Sequence, residues 1–203
     1  YFQSDPGPAA VGSQGEDLAL LLDALGVETC HVLGSAAGGT TALDFALAYP
    51  DRVLSAVVAS SLMSIAEPDY RAQSARARGG WFEPLPIEAK ELSPSFRALD
   101  PEGVARWRAI HDLNGFKPGE RPVAQGTTAR IDWASLGANV TPMLLMTGGA
   151  DIFMPPALLR AVGARVRLSE TVIVPDVGHP IFAEAPEAFN RVVLDFFRRN
   201  SGA

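Results

Sequence analysis

The chain has 203 residues, of which 47% are hydrophobic and 20% are charged, and its formal net charge is -6. This size and composition suit one domain with a buried core, and the acidic balance without a lysine or arginine cluster argues against a nucleic-acid partner. The apolar runs are too short for a membrane span, and no secretory signal is expected at the start. The single cysteine, Cys30, excludes an internal disulfide and fits a reducing, cytoplasmic location.

The first part of the chain predicts helices and strands in alternation. Ser13 and Glu16 have the spacing of a capping box, in which each side chain bonds the other residue's backbone N–H. The helix that follows is expected to end at Gly26. Its apolar face is predicted to contain Leu18, Leu21, Leu22 and Leu25. After it come a strand at 28–34, a helix at 37–48 and a strand at 53–59.

Two further apolar strands, at 143–147 and 171–174, are separated by a helix that opens at Pro155, and a last helix begins near Pro186. Strands that are almost wholly apolar and alternate with helices predict an α/β fold, with a mostly parallel, doubly wound sheet. Residues 62–141 have no strand pattern and several helix-like pieces. We therefore expect core segments at 1–61 and 142–203 and a helical lid at 62–141.

The segment from Gly34 to Gly39, Gly-Ser-Ala-Ala-Gly-Gly, joins a predicted strand to a predicted helix. Its layout is that of a nucleophile elbow, in which small residues flank a nucleophile held on a sharp turn. The nucleophile position is occupied by Ala36, which has no reactive group. Ser35 is one residue out of register, and side chains one step apart on a strand point in different directions.

Two further polar residues follow the ends of predicted strands. Asp151 comes after Thr147-Gly148-Gly149-Ala150, and His179 comes after the strand at 171–174. An elbow nucleophile needs a base, and the base needs an acid to orient it. The order along the chain is nucleophile position, acid and base, and all three positions lie where an open α/β sheet places its site.

Taken together, these three segments resemble the signatures of the α/β-hydrolase superfamily. The resemblance covers nearly the whole chain and is weakest over residues 62–141. It implies that Asp151 fixes the tautomer of His179, that His179 acts as the base, and that the backbone N–H of Ala37 donates to an oxyanion. It also leads us to expect N-terminal strands before residue 1, together with a loop that supplies a second oxyanion donor. No cofactor is implied, and no residues have metal-ligand spacing.

The resemblance leaves two explanations of Ala36 open. In the first, alanine replaces the serine of a hydrolase that cleaves an ester, lactone or thioester, as in a laboratory variant made to hold substrate. In the second, the chain is a natural non-hydrolytic protein, which binds a ligand or uses His179 as a general base for cyclisation or elimination. The substrate is expected to be small and largely apolar, because the lid is rich in aromatic residues. The oligomeric state is not predicted.

Other residues have a structural and a functional interpretation. Asp176 is a rival acid, although it more readily faces solvent. His31 is expected to be structural, and His111 to lie at the surface of the lid. The residues predicted to contact substrate are Ser35, Trp81, Phe82, Trp107, Phe153 and Pro180, although the aromatic ones among them could equally pack the lid onto the core.

Overall fold

Four parallel strands form the central sheet of the computed structural model, which describes residues 12–113 and 126–202. The strands pair in chain order and are β1 (Cys30–Ser35), β2 (Val53–Ala59), β3 (Met143–Gly148) and β4 (Ser169–Val174). All four predicted strands are confirmed, with ends that match the prediction or differ from it by at most two residues. The predicted α/β fold with a parallel sheet is therefore confirmed.

Helices cover both faces of this sheet. In chain order they are α1 (Gln14–Ala24), α2 (Ala37–Ala48), α3 (Pro68–Ala77), α4 (Ile87–Glu91), α5 (Pro94–Leu99), α6 (Pro101–Asp112), α7 (Trp133–Ala138), α8 (Pro156–Gly163), α9 (Ile181–Glu184) and α10 (Pro186–Arg199). The helices expected at 37–48, after Pro155 and near Pro186 are confirmed as α2, α8 and α10.

The buried side chains of β2 alternate between two apolar cores because successive strand residues point to opposite faces. Ala56 and Val58 belong to the larger core, which α2 and α8 also supply. Val57 and Ala59 belong to the second core, to which α10 contributes Phe189, Val193 and Phe196. A strand that is buried on both faces is expected to be largely apolar, and Ser55 is the one polar residue of β2.

Helix α1 is confirmed, but its buried face is not the predicted one. The Ser13 hydroxyl accepts the Glu16 N–H at 3.1 Å, and Gly26 has a φ of 67° just beyond the helix end. Ala19 and Leu22 are buried, whereas Leu21 and Leu25 are 54% and 66% exposed. The buried stripe of α1 consists of Gly15, Ala19 and Leu22, so α1 packs against α2 through a face that is rotated away from Leu21 and Leu25.

The described polypeptide between β2 and β3 holds helices α3 to α7, which are joined by turns and loops. Part of it enters the larger core, to which it contributes Met63, Ile65, Tyr70, Ile131 and Leu136. The polypeptide is therefore anchored beneath the sheet near both of its ends. The assignment of 62–141 as a lid stays a prediction, as do the flanking core segments. Residues 114–125 of the predicted lid lie outside the described residues, as do residues 1–11 of the first predicted core segment.

Candidate active site

The turn between β1 and α2 consists of one residue, Ala36. Its φ is 52° and its ψ is -119°, a backbone conformation that costs free energy for any residue with a Cβ atom. Two hydrogen bonds hold it there. The Ala36 N–H donates to the Ala59 carbonyl at 2.9 Å, and the Gly39 N–H donates to the Ala36 carbonyl at 3.1 Å. The strained turn is therefore tied both to β2 and to the first turn of α2.

The glycines around Ala36 are required by close packing. A Cβ atom on Gly34 would lie 2.0 Å from the Gly38 carbonyl oxygen, and one on Gly39 would lie 2.5 Å from Cβ of Ser61. Both distances are far below any real contact between these atoms. The small-residue pattern of the elbow thus has a direct steric cause, since strand and helix approach too closely for side chains.

Asp151 and His179 meet at the carboxyl ends of β3 and β4. Their Oδ2 and Nδ1 atoms are 3.0 Å apart, and the aspartate side chain is fully buried. Three further donors reach this carboxylate. The Thr147 hydroxyl lies 3.0 Å from Oδ2, and the N–H groups of Phe153 and Met154 donate to Oδ1 at 2.8 and 3.0 Å. The carboxylate is therefore fixed in position.

The environment of Asp151 favours its ionised form. Burial by itself raises the pKa of Asp151, but the hydrogen bond and charge of His179, followed by the N–H groups of Met154 and Phe153, outweigh it. The pKa therefore lies below its ordinary value of 3.8. Because an ionised carboxylate only accepts hydrogen bonds, Nδ1 of His179 carries the proton between them. The other ring nitrogen, Nε2, keeps its lone pair for a proton from elsewhere when the ring is neutral.

The loop that presents His179 is held by its backbone. The His179 N–H donates to the Glu91 carbonyl at 2.7 Å, and the Gly178 N–H donates to Oε2 of Glu184 at 3.0 Å. A Cβ atom on Gly178 would lie 2.3 Å from the same Glu91 carbonyl oxygen. The glycine before the histidine is thus needed because α4 passes directly against the loop.

A cavity of about 490 Å³ brings the predicted site residues together. Its lining includes the nucleophile position Ala36, the predicted oxyanion donor Ala37 and the predicted base His179. The other lining residues are Gln14, Thr40, Ser60, Ser61, Leu62, Ser64, Glu91 and Phe153. The strand ends thus converge on one concave surface, as the order of the three positions along the chain predicted.

Of the residues predicted to contact substrate, Phe153 alone lines this cavity. Its ring centroid lies 4.5 Å from that of His179. Phe82 meets Phe153 edge-on with centroids 4.9 Å apart, and Trp81 in turn meets Phe82 at 5.9 Å. Phe82 therefore supports the cavity wall from behind, because Phe153 stands between it and the cavity.

The remaining predicted contacts also lie elsewhere. Trp107 lines a second cavity, where its ring stacks on His111 with centroids 5.1 Å apart. Ser35 ends β1 without reaching the catalytic cavity, and Pro180 is buried immediately before α9. Aromatic content could not distinguish a cavity wall from the packing behind it, because that depends on how the helices dock.

Asp176, the alternative acid, and His31 are not among the residues that line the catalytic cavity. Asp176 is exposed and has a positive φ of 58°. His31 contacts the Ser55 hydroxyl at 2.8 Å and the Ser201 hydroxyl at 3.1 Å, and it stacks on Phe197. These contacts give His31 the structural role that the sequence favoured.

A polar wall of the cavity, formed by Ser60, Ser61 and Ser64, was not predicted from the sequence. Ser60 and Ser61 directly follow β2, so their place after a strand end could have identified them. The left-handed φ values of Ser60, Met63 and Ser64 turn this segment along the cavity. Glu91 was also missed, and nothing in its neighbouring sequence indicates that α4 reaches the site.

Two negative findings apply to residues 12–113 and 126–202. No cluster of histidine, cysteine and carboxylate side chains among them could hold a metal ion. No helix among them combines the length and the apolar content that crossing a membrane requires.

Known proteins resemble this chain in sequence and in fold. A family model described as alpha/beta hydrolase fold matches residues 3–186. The protein of Caulobacter sp. (strain K31) named "Putative carbamate hydrolase RutD" is 27% identical over 215 residues, covering 93% of this chain and 73% of that protein. The pimeloyl-(acyl-carrier protein) methyl ester esterase of Aeromonas hydrophila is 27% identical over 195 residues, covering 89% of this chain and 74% of the esterase.

A solved structure supports the same comparison. The malate-bound thermophilic esterase of Thermogutta terrifontis superposes with a TM-score of 0.70 at 25% identity. The match covers 93% of this chain and 73% of the esterase chain.

Proposed function

The chain belongs to the alpha/beta hydrolase fold family, and from this premise we propose that it carries the site of a serine-type hydrolase with alanine at the nucleophile position. The bond cleaved by the complete site is an ester, a lactone or a thioester. Two of the related proteins described above carry esterase names, and a third carries a hydrolase name, which supports this reaction class. The chain with Ala36 is inactive, or nearly so, in this reaction.

One observation carries the proposal. Ala36 and His179 line the same cavity, and the Asp151 carboxylate holds the far side of the imidazole at 3.0 Å. A nucleophile, a base and an orienting acid are the parts that acyl transfer needs in this relative order. The proposed base, His179, and the proposed acid, Asp151, accompany a turn whose backbone has the strained geometry of an elbow.

The chemistry is completed by a hydroxyl at position 36. In the Ala36→Ser variant, this hydroxyl attacks the substrate carbonyl carbon while Nε2 of His179 takes its proton. The Ala37 N–H begins α2 and has no acceptor within the helix, so it is free to donate to the oxyanion. The tetrahedral intermediate then expels the alcohol or thiol, which receives the proton from His179 and leaves an acyl-enzyme.

Water completes the cycle by the same route. His179 accepts a proton from the water that attacks the acyl-enzyme, and it returns this proton to the serine oxygen as the carboxylic acid leaves. Throughout the cycle, the Asp151 carboxylate stabilises the imidazolium without accepting its proton. All proton transfers are thus assigned to one imidazole.

The cavity restricts the substrate. A volume of about 490 Å³ suits a small molecule. The lid aromatics predicted a largely apolar substrate, but the lining includes Gln14, Thr40 and three serines. These polar side chains stand beside the apolar lining of Ala36, Ala37, Leu62 and Phe153, so the proposed substrate stays small and largely apolar, with hydrogen-bonding groups beside the scissile bond.

The test is the hydrolysis of para-nitrophenyl acetate by the Ala36→Ser variant. We expect kcat/KM to exceed that of the unmodified chain by about 10⁴-fold or more, since a triad serine contributes at least this much. The matched control combines Ala36→Ser with His179→Ala and should return to the level of the unmodified chain. A folded Ala36→Ser variant without hydrolysis of a broad panel of short esters and thioesters would contradict the proposal.

The intact pair of Asp151 and His179 favours a second candidate function. A dyad kept beside a methyl group can act as a general base in cyclisation or elimination without any covalent intermediate. This function predicts that activity is present in the unmodified chain and is lost in His179→Ala. A ligand-binding protein would instead keep its affinity largely unchanged in His179→Ala.

A further inference from the structure

Glu91 lies at the junction between the catalytic cavity and a second cavity. It is the last residue of α4, and it lines both spaces. The second cavity has a volume of about 740 Å³ and is bordered by α5, α6 and α9, with Trp107, His111 and Phe182 among its lining residues. Glu91 thus borders both spaces, and among the described residues it is the one that the two linings share.

The Glu91 carboxylate differs from the other carboxylates around these cavities. Glu184 accepts the N–H groups of Ser93 and Gly178 at 2.8 and 3.0 Å. Asp100 accepts the Gly103 N–H at 2.8 Å and pairs with Arg106 at 3.3 Å. Among residues 12–113 and 126–202, no group donates a hydrogen bond to the carboxylate of Glu91 and no cation pairs with it. Its hydrogen-bonding capacity is thus available to a ligand.

The position of Glu91 is nevertheless fixed. Its backbone carbonyl accepts the His179 N–H at 2.7 Å, so the residue is attached to the loop that carries the base. Its side chain is half-buried, and burial raises the pKa of the Glu91 carboxyl above its ordinary value, against the opposing charges of His179 and His111. A bound cation would offset this destabilisation of the carboxylate.

The neighbouring groups favour a cation as the ligand. Within the described part of the chain, no lysine or arginine lines the catalytic cavity, and Arg106, which lines the second cavity, is paired there with Asp100 at 3.3 Å. The ring of Phe153 lines the same cavity, and an aromatic face attracts an ammonium group through its quadrupole. A carboxylate and an aromatic ring in the lining of one cavity are complementary to a desolvated alkylammonium group, and the carboxylate repels an anionic one.

We propose that Glu91 is a specificity-determining residue that selects substrates carrying an alkylammonium group near the scissile bond. The inference rests on the proposed function, because it concerns the substrate of that same cavity. In this arrangement the scissile carbonyl faces Ala36 and His179, and the ammonium group lies against Glu91 at the junction of the two cavities.

The test compares two esters that differ only in charge. Choline acetate carries a quaternary ammonium group, and neohexyl acetate has the same shape with carbon in place of nitrogen. Binding is measured by NMR titration of the unmodified chain, in which Ala36 prevents turnover. We expect choline acetate to bind about fivefold more tightly, as for a partly exposed ion pair with an aromatic contribution.

Two variants assign this preference to the side chain. Glu91→Gln keeps the backbone carbonyl that His179 requires and removes the charge, so the preference for choline acetate should fall to the aromatic contribution alone, below about twofold. Glu83→Gln removes the same charge from a side chain that is 87% exposed, and it should leave the preference intact. In the Ala36→Ser background, the loss caused by Glu91→Gln should appear in KM for choline acetate, with kcat within about twofold.

Three outcomes would overturn the inference. These are equal affinities of the unmodified chain for the two esters, a preference that is undiminished in Glu91→Gln, and failure of both esters to bind. Hydrolysis of para-nitrophenyl acetate by Ala36→Ser is measured separately. A failure of the specificity inference can therefore be distinguished from a failure of the proposed function.

Discussion

The backbone N–H of His179 donates to the carbonyl oxygen of Glu91 at 2.7 Å. This bond connects the loop after β4 with a helix that lies between β2 and β3 along the chain. The candidate base is therefore positioned from two directions, by the Asp151 carboxylate at its ring and by α4 at its backbone. Both connections join segments that are far apart in sequence, so the site depends on the tertiary fold.

The first prediction concerns the acid. In the Ala36→Ser background, Asp151→Asn should lower kcat by about 10³- to 10⁴-fold, because an amide at this position favours the wrong imidazole tautomer. Steady-state hydrolysis of para-nitrophenyl acetate measures the effect. Asp176→Asn is the matched control, since this exposed aspartate lies on the His179 loop, and it should keep nearly full activity. Equal losses in the two variants would contradict the assignment of the acid.

The second prediction concerns close packing at the elbow. Gly34→Ala should destabilise the protein by about 3 kcal/mol or more, because the new methyl group would lie 2.0 Å from a backbone oxygen. Gly38→Ala is the control, since its Cβ atom would meet no atom within 4 Å and it lies in a helix. This variant should be between zero and about 1 kcal/mol more stable. Urea denaturation gives both values, and similar stabilities would refute the steric explanation.

The third prediction concerns backbone strain. Ala36→Gly should stabilise the protein by about 1 kcal/mol, because glycine adopts the observed φ of 52° without a Cβ clash. Ala37→Gly serves as the comparison. It lies one residue further on, inside α2, and should not stabilise the protein. A loss of stability in Ala36→Gly, measured by thermal denaturation, would mean that the turn is not strained.

The fourth prediction concerns pH. The pKa of Asp151 is lowered in the folded protein, so its carboxylate contributes stability above its ordinary pKa of 3.8, and this contribution is lost as pH falls through the lowered value. The difference in free energy of unfolding between the unmodified chain and Asp151→Asn should therefore be larger at pH 7 than in strong acid. Urea titrations at several pH values measure it. A difference that grows in acid would mean that the pKa is raised.

The sequence was sufficient to identify the three positions on which the candidate site depends. Ala36 directly follows β1, and Asp151 and His179 lie in the loops that follow β3 and β4, so parallel strands bring all three to one edge of the sheet. The strained turn at Ala36 was also predicted, because several glycines at a strand–helix junction indicate a tight turn with close backbone packing. Periodicity and chain order were enough to predict these positions, because the turn at Ala36 is local in sequence and the other two positions follow from the order of parallel strands.

Other features depended on docking that local sequence does not determine. Leu21 and Leu25 have the spacing of a buried helix face but are exposed, because α2 covers another side of α1. Phe82 and Phe153 have similar side chains, yet one lines the cavity and the other supports it. Glu91 reaches the site through a short helix whose position is set by the fold.

The conformation at Ala36 is imposed by its neighbours rather than by its own side chain. The Ala59 carbonyl, the Gly39 N–H and the close approach of Gly34 to Gly38 hold it at a positive φ, although a methyl group makes no use of that geometry. The turn is thus preorganised for whatever side chain is placed on it. A cysteine or an aspartate introduced at this position would inherit the same presentation toward the imidazole, which makes this chain a scaffold on which different nucleophiles can be compared without rebuilding the backbone.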